Sequence, residues 1–126
     1  MFVQSLRGAP VNERGDGQVS YLTLAPGQFG STNLAITWVE CAPGSQQPLH
    51  SHANSEQVYV IVSGQGTMLI DDEEQTVGPG DTIFIPPGSR HAIRNDSGTE
   101  LVFATAASPP FEEPAGEFAY EGRGRD

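Results

Sequence analysis

Apolar and polar positions in this chain fall into short strand-like runs separated by turn residues. Val19-Ser20-Tyr21-Leu22-Thr23-Leu24, rich in β-branched and aromatic residues, predicts a short strand. In Asn33-Leu34-Ala35-Ile36-Thr37-Trp38-Val39-Glu40 the large residues Leu34, Ile36 and Trp38 share one face and predict the buried face of a half-exposed strand. Val58-Tyr59-Val60-Ile61-Val62 is apolar on both faces, which predicts a strand covered on two sides, by a second sheet or by a partner subunit. Further strands are expected at Phe2-Val3, Thr67-Met68-Leu69-Ile70, Gln75-Thr76-Val77, Thr82-Ile83-Phe84-Ile85, His91-Ala92-Ile93-Arg94-Asn95 and residues 100–105. Breaks such as Ala42-Pro43-Gly44, Ser63-Gly64-Gln65-Gly66, Gly78-Pro79-Gly80-Asp81 and Pro86-Pro87-Gly88 separate them. Short strands between regular turn signals, with no long amphipathic helix, predict an all-β sandwich or barrel. One domain is expected over residues 1–107. A Pro- and Glu-rich tail follows over 108–126, with Phe111, Phe118 and Tyr120 as its only apolar anchors.

Charge narrows the partners. All six basic residues are arginine against sixteen acids, a net charge of −10 that repels phosphate backbones and anionic lipid, so neither nucleic acid nor membrane is expected. Without lysine there is no Schiff-base chemistry. The single cysteine, Cys41, excludes an intrachain disulfide and a Cys-rich zinc site, and reads as a small buried hydrophobe. No apolar run is long enough to span a bilayer and the first residues lack a signal-peptide layout, so a cytoplasmic location is expected. Asp71-Asp72-Glu73-Glu74 lacks the spacing of a calcium loop and reads as a solvated hairpin tip.

The chemistry centres on histidine. His50 and His52 share a face if their segment is extended, Glu56 and Gln57 follow closely, and His91 is the only other histidine in the chain. Converging neutral imidazoles suit one divalent ion: Fe, Ni, Cu or Zn, and less tightly Mn.

These residues resemble the two motifs of the cupin family, G-x5-H-x-H-x3,4-E-x6-G and G-x5-P-x-G-x2-H-x3-N. The second is matched at Gly80, Pro86, Gly88, His91 and Asn95, and the first at Gly44, His50, His52 and Gly64. Where the family usually has glutamate, the spacing to Gly64 puts Gln57, while the spacing from His52 admits either Glu56 or Gln57. The resemblance covers residues 44–95 and implies a double-stranded β-helix, a metal held by His50, His52, Gln57 and His91, and pairing of two chains as a homodimer. Because adjacent strand residues face opposite ways, only one of Glu56 and Gln57 is expected to reach the ion; Gln57 is chosen, with Glu56 as the alternative. An amide in place of a carboxylate leaves the ion's full double charge in the cavity, favouring anionic substrates.

Tyr59 and Ile61 share parity with Gln57, and Ile93 with His91. These residues are pocket-lining candidates, as are Phe84, Met68 and Trp38. Arg90 and Arg94 are expected outside the barrel and Asn95 at a turn. The resemblance implies a small metal-dependent enzyme acting on a small oxygen-rich molecule, first as a dioxygenase. A redox-neutral lyase or isomerase, or a non-catalytic module binding a small ligand or metal, is the alternative.

Overall fold

The computed structural model describes residues 1–111. Among the described residues nine strands make two antiparallel sheets. They are β1 (Val11–Glu13), β2 (Gln18–Leu24), β3 (Ala35–Cys41), β4 (Glu56–Ser63), β5 (Gly66–Ile70), β6 (Glu73–Val77), β7 (Thr82–Ile85), β8 (His91–Arg94) and β9 (Leu101–Ser108). A six-stranded sheet has the order β1-β2-β3-β9-β4-β7, and a three-stranded sheet the order β6-β5-β8. The core between them is built by Val39, Tyr59, Ile61, Ile85 and Phe103 from the larger sheet and Met68, Val77 and Ile93 from the smaller. Among the described residues the one helical element is a 3-10 turn at Gln28–Gly30, as the absence of helical periodicity predicted. Phe118 and Tyr120, and the tail beyond Phe111, lie outside the described residues.

Two sequence expectations are corrected. Phe2 and Val3 are exposed and form no strand. The sheet edge they would have joined is filled by β1, which pairs with β2 across a tight local turn, Val11 opposite Tyr21. Phe2 stacks instead on Phe29, ring centroids 4.9 Å apart. In β3 the inward face is Ala35, Val39 and Cys41, not Leu34, Ile36 and Trp38. Bulk on the inner face comes from neighbouring strands: Val39 lies opposite Phe103, whose ring stacks on Tyr59 at 4.6 Å. Little room remains there for large β3 side chains.

Large β3 residues therefore contribute to an outer apolar face. One row across the sheet runs Phe84, Val58, Ala106, Ile36, Leu24, and the next runs Thr82, Val60, Ala104, Trp38, Tyr21. Val60, Val62 and Phe84 are exposed on it. The second apolar face of β4 is thus left uncovered by the described residues. Phe84 and Trp38, considered for the pocket, stand on this side and not in the interior.

Gly64 shows how closely the start of β9 is drawn against the β4–β5 turn. Its φ is +82°, and a Cβ there would clash with the Glu100 carbonyl and lie 2.8 Å from the Leu101 Cα. Both neighbours are backbone, so neither can rotate away. Gly64→Ala is expected to destabilise the protein by about 2 kcal/mol or more, whereas Gly98→Ala, with open space around it, should be near neutral. Chemical denaturation of the two variants checks the contrast.

Candidate metal centre

The histidine segment is held by the backbone of β8. The N–H of His50 donates to the His91 carbonyl at 3.0 Å and the N–H of His91 returns to the His50 carbonyl at 2.8 Å. Further along, the Gln47 N–H donates to the Ile93 carbonyl (3.1 Å) and the Asn95 N–H to the Ser45 carbonyl (2.8 Å). Residues 45–50 thus lie beside β8 as a short extra strand, the extended conformation that the His-x-His spacing requires. Gln47 reinforces the seam: its buried Oε1 accepts from the Tyr59 hydroxyl at 3.1 Å and from the Ile93 N–H at 3.0 Å. Sequence reasoning passed over Gln47. Its signal was a polar residue within the histidine run and odd in number like Tyr59, a pattern that does not by itself point inward.

The Pro86-Pro87-Gly88 break delivers His91. β7 ends at Ile85, and the Gly88 N–H, at φ +84°, donates to the His52 carbonyl at 2.8 Å. Asn95 fixes the following turn, its Nδ2 donating to the Cys41 and Thr99 carbonyls at 3.1 and 2.7 Å.

His50, His52 and His91 converge. Their candidate ligand nitrogens all lie within 4.8 Å of one another, and the His50 and His91 ring centroids are 4.1 Å apart. Imidazoles bound to one ion at about 2.1 Å have nitrogens roughly 3–4 Å apart, so modest side-chain adjustment suffices to ligate one. The tautomers suit the task. The Nδ1 of His50 lies 2.7 Å from the Pro48 carbonyl and that of His91 3.0 Å from the Ser89 carbonyl. A carbonyl only accepts, so Nδ1 carries the proton in both rings and Nε2 keeps its lone pair. The His91 Nε2 is buried with no hydrogen-bond partner among the described residues.

Gln57 is buried on the inward face of β4, and its Oε1 likewise has no hydrogen-bond partner among the described residues. Its neighbour Glu56 is exposed, as strand parity requires. An orphaned buried amide oxygen and imidazole nitrogen each cost stability unless something accepts their lone pairs, and a cation does so. The three histidines could therefore hold a metal ion, and the donor set fits one.

One of the tail's apolar anchors, Phe111, also reaches the centre. After β9 the chain turns back, with the Ser55 hydroxyl donating to the Pro109 carbonyl at 2.6 Å. The Phe111 ring then lies flat on His52, centroids 3.6 Å apart and planes within 5°. A tail phenylalanine in a Pro-rich stretch carries no periodicity that would reveal this. Tyr59, Ile61, Met68 and Ile93 are buried in the core, and the Tyr59 ring centroid lies 6.1 Å from that of His91. Arg94 points outward, paired with Glu74 at 2.7 Å and Asp96 at 3.0 Å.

Burial sets the protonation states. Desolvation, followed by repulsion from His91, lowers His50 to about 3 and His52 to about 4; desolvation lowers His91 as well. Cys41, fully buried, is pushed up to about 12 chiefly by desolvation, so its thiol is inert.

The Cupin domain family model matches residues 37–106, and this chain belongs to that family. An uncharacterized protein of Methanocaldococcus jannaschii is 33% identical over 96 residues, covering 76% of this chain and 77% of that protein. A 1-hydroxy-2-naphthoate 1,2-dioxygenase of Nocardioides is 38% identical over 78 residues, 60% of this chain but only 20% of the dioxygenase. Among solved structures, a predicted oxalate decarboxylase of Thermotoga maritima aligns with a TM-score of 0.78 at 19% identity, over 86% of this chain and 99% of that one. These likenesses make the fold a cupin barrel. Among the described residues no helix is long and apolar enough to cross a membrane.

The low histidine pKa values have a signed consequence for the metal-free protein. An unfolded histidine protonates near 6.5, but His50 and His52 in the fold resist protonation until about pH 3–4. The unfolded chain therefore binds more protons between these limits. Stability should be fully present above about pH 6.5 and fall steadily as pH drops toward 4. Thermal melts in chelator across that range check this; a flat Tm would contradict the buried neutral histidines.

Proposed function

We propose that this cupin binds one divalent metal through His50, His52, His91 and Gln57, and acts on a small oxygen-rich organic molecule at that ion. The observation that carries this is the convergence of three neutral imidazoles, and the orphaned Oε1 of Gln57, buried on the inward face of β4, supports it as the fourth ligand. A bound ion would polarise oxygen donors and, if iron or manganese, support reaction with dioxygen. The protein's part is to orient and to exclude. The Pro48 and Ser89 carbonyls hold two imidazole rings in the ligating tautomer. Phe111 covers one face of His52, and Tyr59, Ile61 and Ile93 keep the interior dry.

A dioxygenase is the preferred subtype, and the partial match to a naphthoate dioxygenase supports it. A lyase or isomerase needs a proton acceptor beside the substrate. Glu56 is exposed, and among the described residues the cluster of candidate ligands holds histidine alone, each committed to the ion in this reading, which leaves no side chain of the cluster free to take the proton. A non-catalytic ligand-binding module remains the alternative.

Elemental analysis of untagged protein should find about one metal per chain, with His52→Ala losing it and Gln57→Leu weakening retention about tenfold or more. Iron or manganese together with oxygen uptake on enolic substrates supports the dioxygenase. Zinc or nickel without uptake favours the redox-neutral reading. Unchanged metal content in His52→Ala would sink the site.

The pairing expected of the chain rests on the outer face of the large sheet. Val58 and Val60 of β4 form a ridge beside a shallow groove over Ala104 and Ala106 of β9. A ridge next to a groove complements itself under a two-fold rotation, as an isologous dimer requires. Its two central rows carry no charge, so chains of net charge −10 can meet there without opposing like charges. Sedimentation should show a dimer, with Val60→Glu shifting it to a folded monomer.

A further inference from the structure

A cavity of about 530 Å³ opens between β6 and β7, where the two strands leave the 78–81 turn and enter different sheets. Met68, Ile70, Val77 and Ile83 supply its apolar lining, and Glu73 and Asp81 its acidic one. The cavity adjoins the candidate metal centre through the sheet register. Ile70 is the cross-strand partner of His91, and Ile83 that of Tyr59.

That register places one acid in line with the histidines. His50 opposes His91, His91 opposes Ile70, and Ile70 opposes Glu73. Directly opposed side chains of antiparallel strands share a face, so Glu73 stands on the face of the ligand histidines. It lies two strands from β8, about 10 Å at the usual strand spacing. The acidic run expected to be a solvated hairpin tip is therefore divided: Asp71 and Asp72 form the tip, while Glu73 opens β6 at the cavity. The other acids there are engaged. Glu74 pairs with Arg94 at 2.7 Å, and Asp81 accepts the Gly78 N–H at 2.8 Å. Glu73 has no ion pair among the described residues, and no basic residue lines the cavity.

The cavity thus has an apolar middle between two opposite demands. At one end, beyond Ile70 and outside the cavity's own lining, is the candidate metal centre, whose buried His91 Nε2 has no hydrogen-bond partner among the described residues and whose cation would bind an oxyanion. At the other, Glu73 calls for positive charge. We propose that Glu73 is a specificity-determining residue, and that the ligand class of this site is a short zwitterion. Its oxyanion would go to the metal, a few methylenes would cross Ile70 and Met68, and an onium or ammonium group would reach Glu73. This rests on the metal-centre reading above.

The test is titration calorimetry on the full chain loaded with Zn²⁺. The probes are 4-(trimethylammonio)butanoate and its isostere 5,5-dimethylhexanoate, in which carbon replaces the cationic nitrogen. The zwitterion should bind about fivefold tighter, the scale of one partly exposed charge pair. Glu73→Gln should abolish that preference with zinc content unchanged. Asp72→Asn, which removes the same charge from the hairpin tip, should keep it, separating Glu73 from the general negative field. Equal affinities in the parent protein, a preference that survives Glu73→Gln, or no binding of either probe would overturn the proposal. Butyltrimethylammonium, which has no carboxylate, separates the two readings in metal-free protein. Binding that Glu73→Gln removes, in protein that retains no zinc, means the metal reading has failed while the cation site stands. No binding of this probe to protein that does retain zinc means the reverse.

Discussion

The backbone ladder between residues 45–50 and β8 is the contact on which the rest depends. It brings His50 against His91 across some forty residues of intervening chain. Without it the third imidazole would have no fixed relation to the first two. Closing so long a loop costs entropy that local hydrogen bonds do not repay alone. The remainder comes from the interior: Tyr59, Ile93 and Phe103 pack below the seam, and the Tyr59 hydroxyl reaches up to Gln47. The apolar core and the polar site are thus joined through one phenol and one amide.

The site's electrostatics follow from the same burial. Three imidazoles so close together would repel if protonated, and desolvation already keeps them neutral. Two of them spend their ring N–H groups on carbonyls of their own segments, Pro48 and Ser89, each two residues back. Local chain geometry therefore sets which nitrogen faces inward. The proposed fourth ligand, Gln57, would add an acceptor without adding charge, and among the described residues no carboxylate joins the three histidines.

Much of this was legible in the sequence because glycine, proline and histidine occupy fixed intervals. The strand from Val19, the breaks at Gly44, Gly64 and Gly88, and the opposite facing of Glu56 and Gln57 all follow from local rules. What was not legible depended on neighbours far away in sequence. β3 alternates cleanly, but alternation does not say which face is inside, and Phe103 decided that Trp38 would face out. Glu73 looked like part of an acidic tip because its register with Ile70 and His91 is a property of the assembled sheet. Phe111 follows no pattern; only the return of the chain after β9 sets it on His52.

The seat of Phe111 bears on how the protein is handled at the bench. Residues 112–126, and any segment fused after Asp126, are tethered to a ring in contact with a candidate ligand histidine. A flexible extension is presented to its own attachment region at up to about millimolar effective concentration. A polyhistidine purification tag fused after Asp126 would be an intramolecular chelator tethered to the site, competing with the protein for its own ion. A tag at the other terminus begins at Met1, which is fully exposed, and escapes that competition.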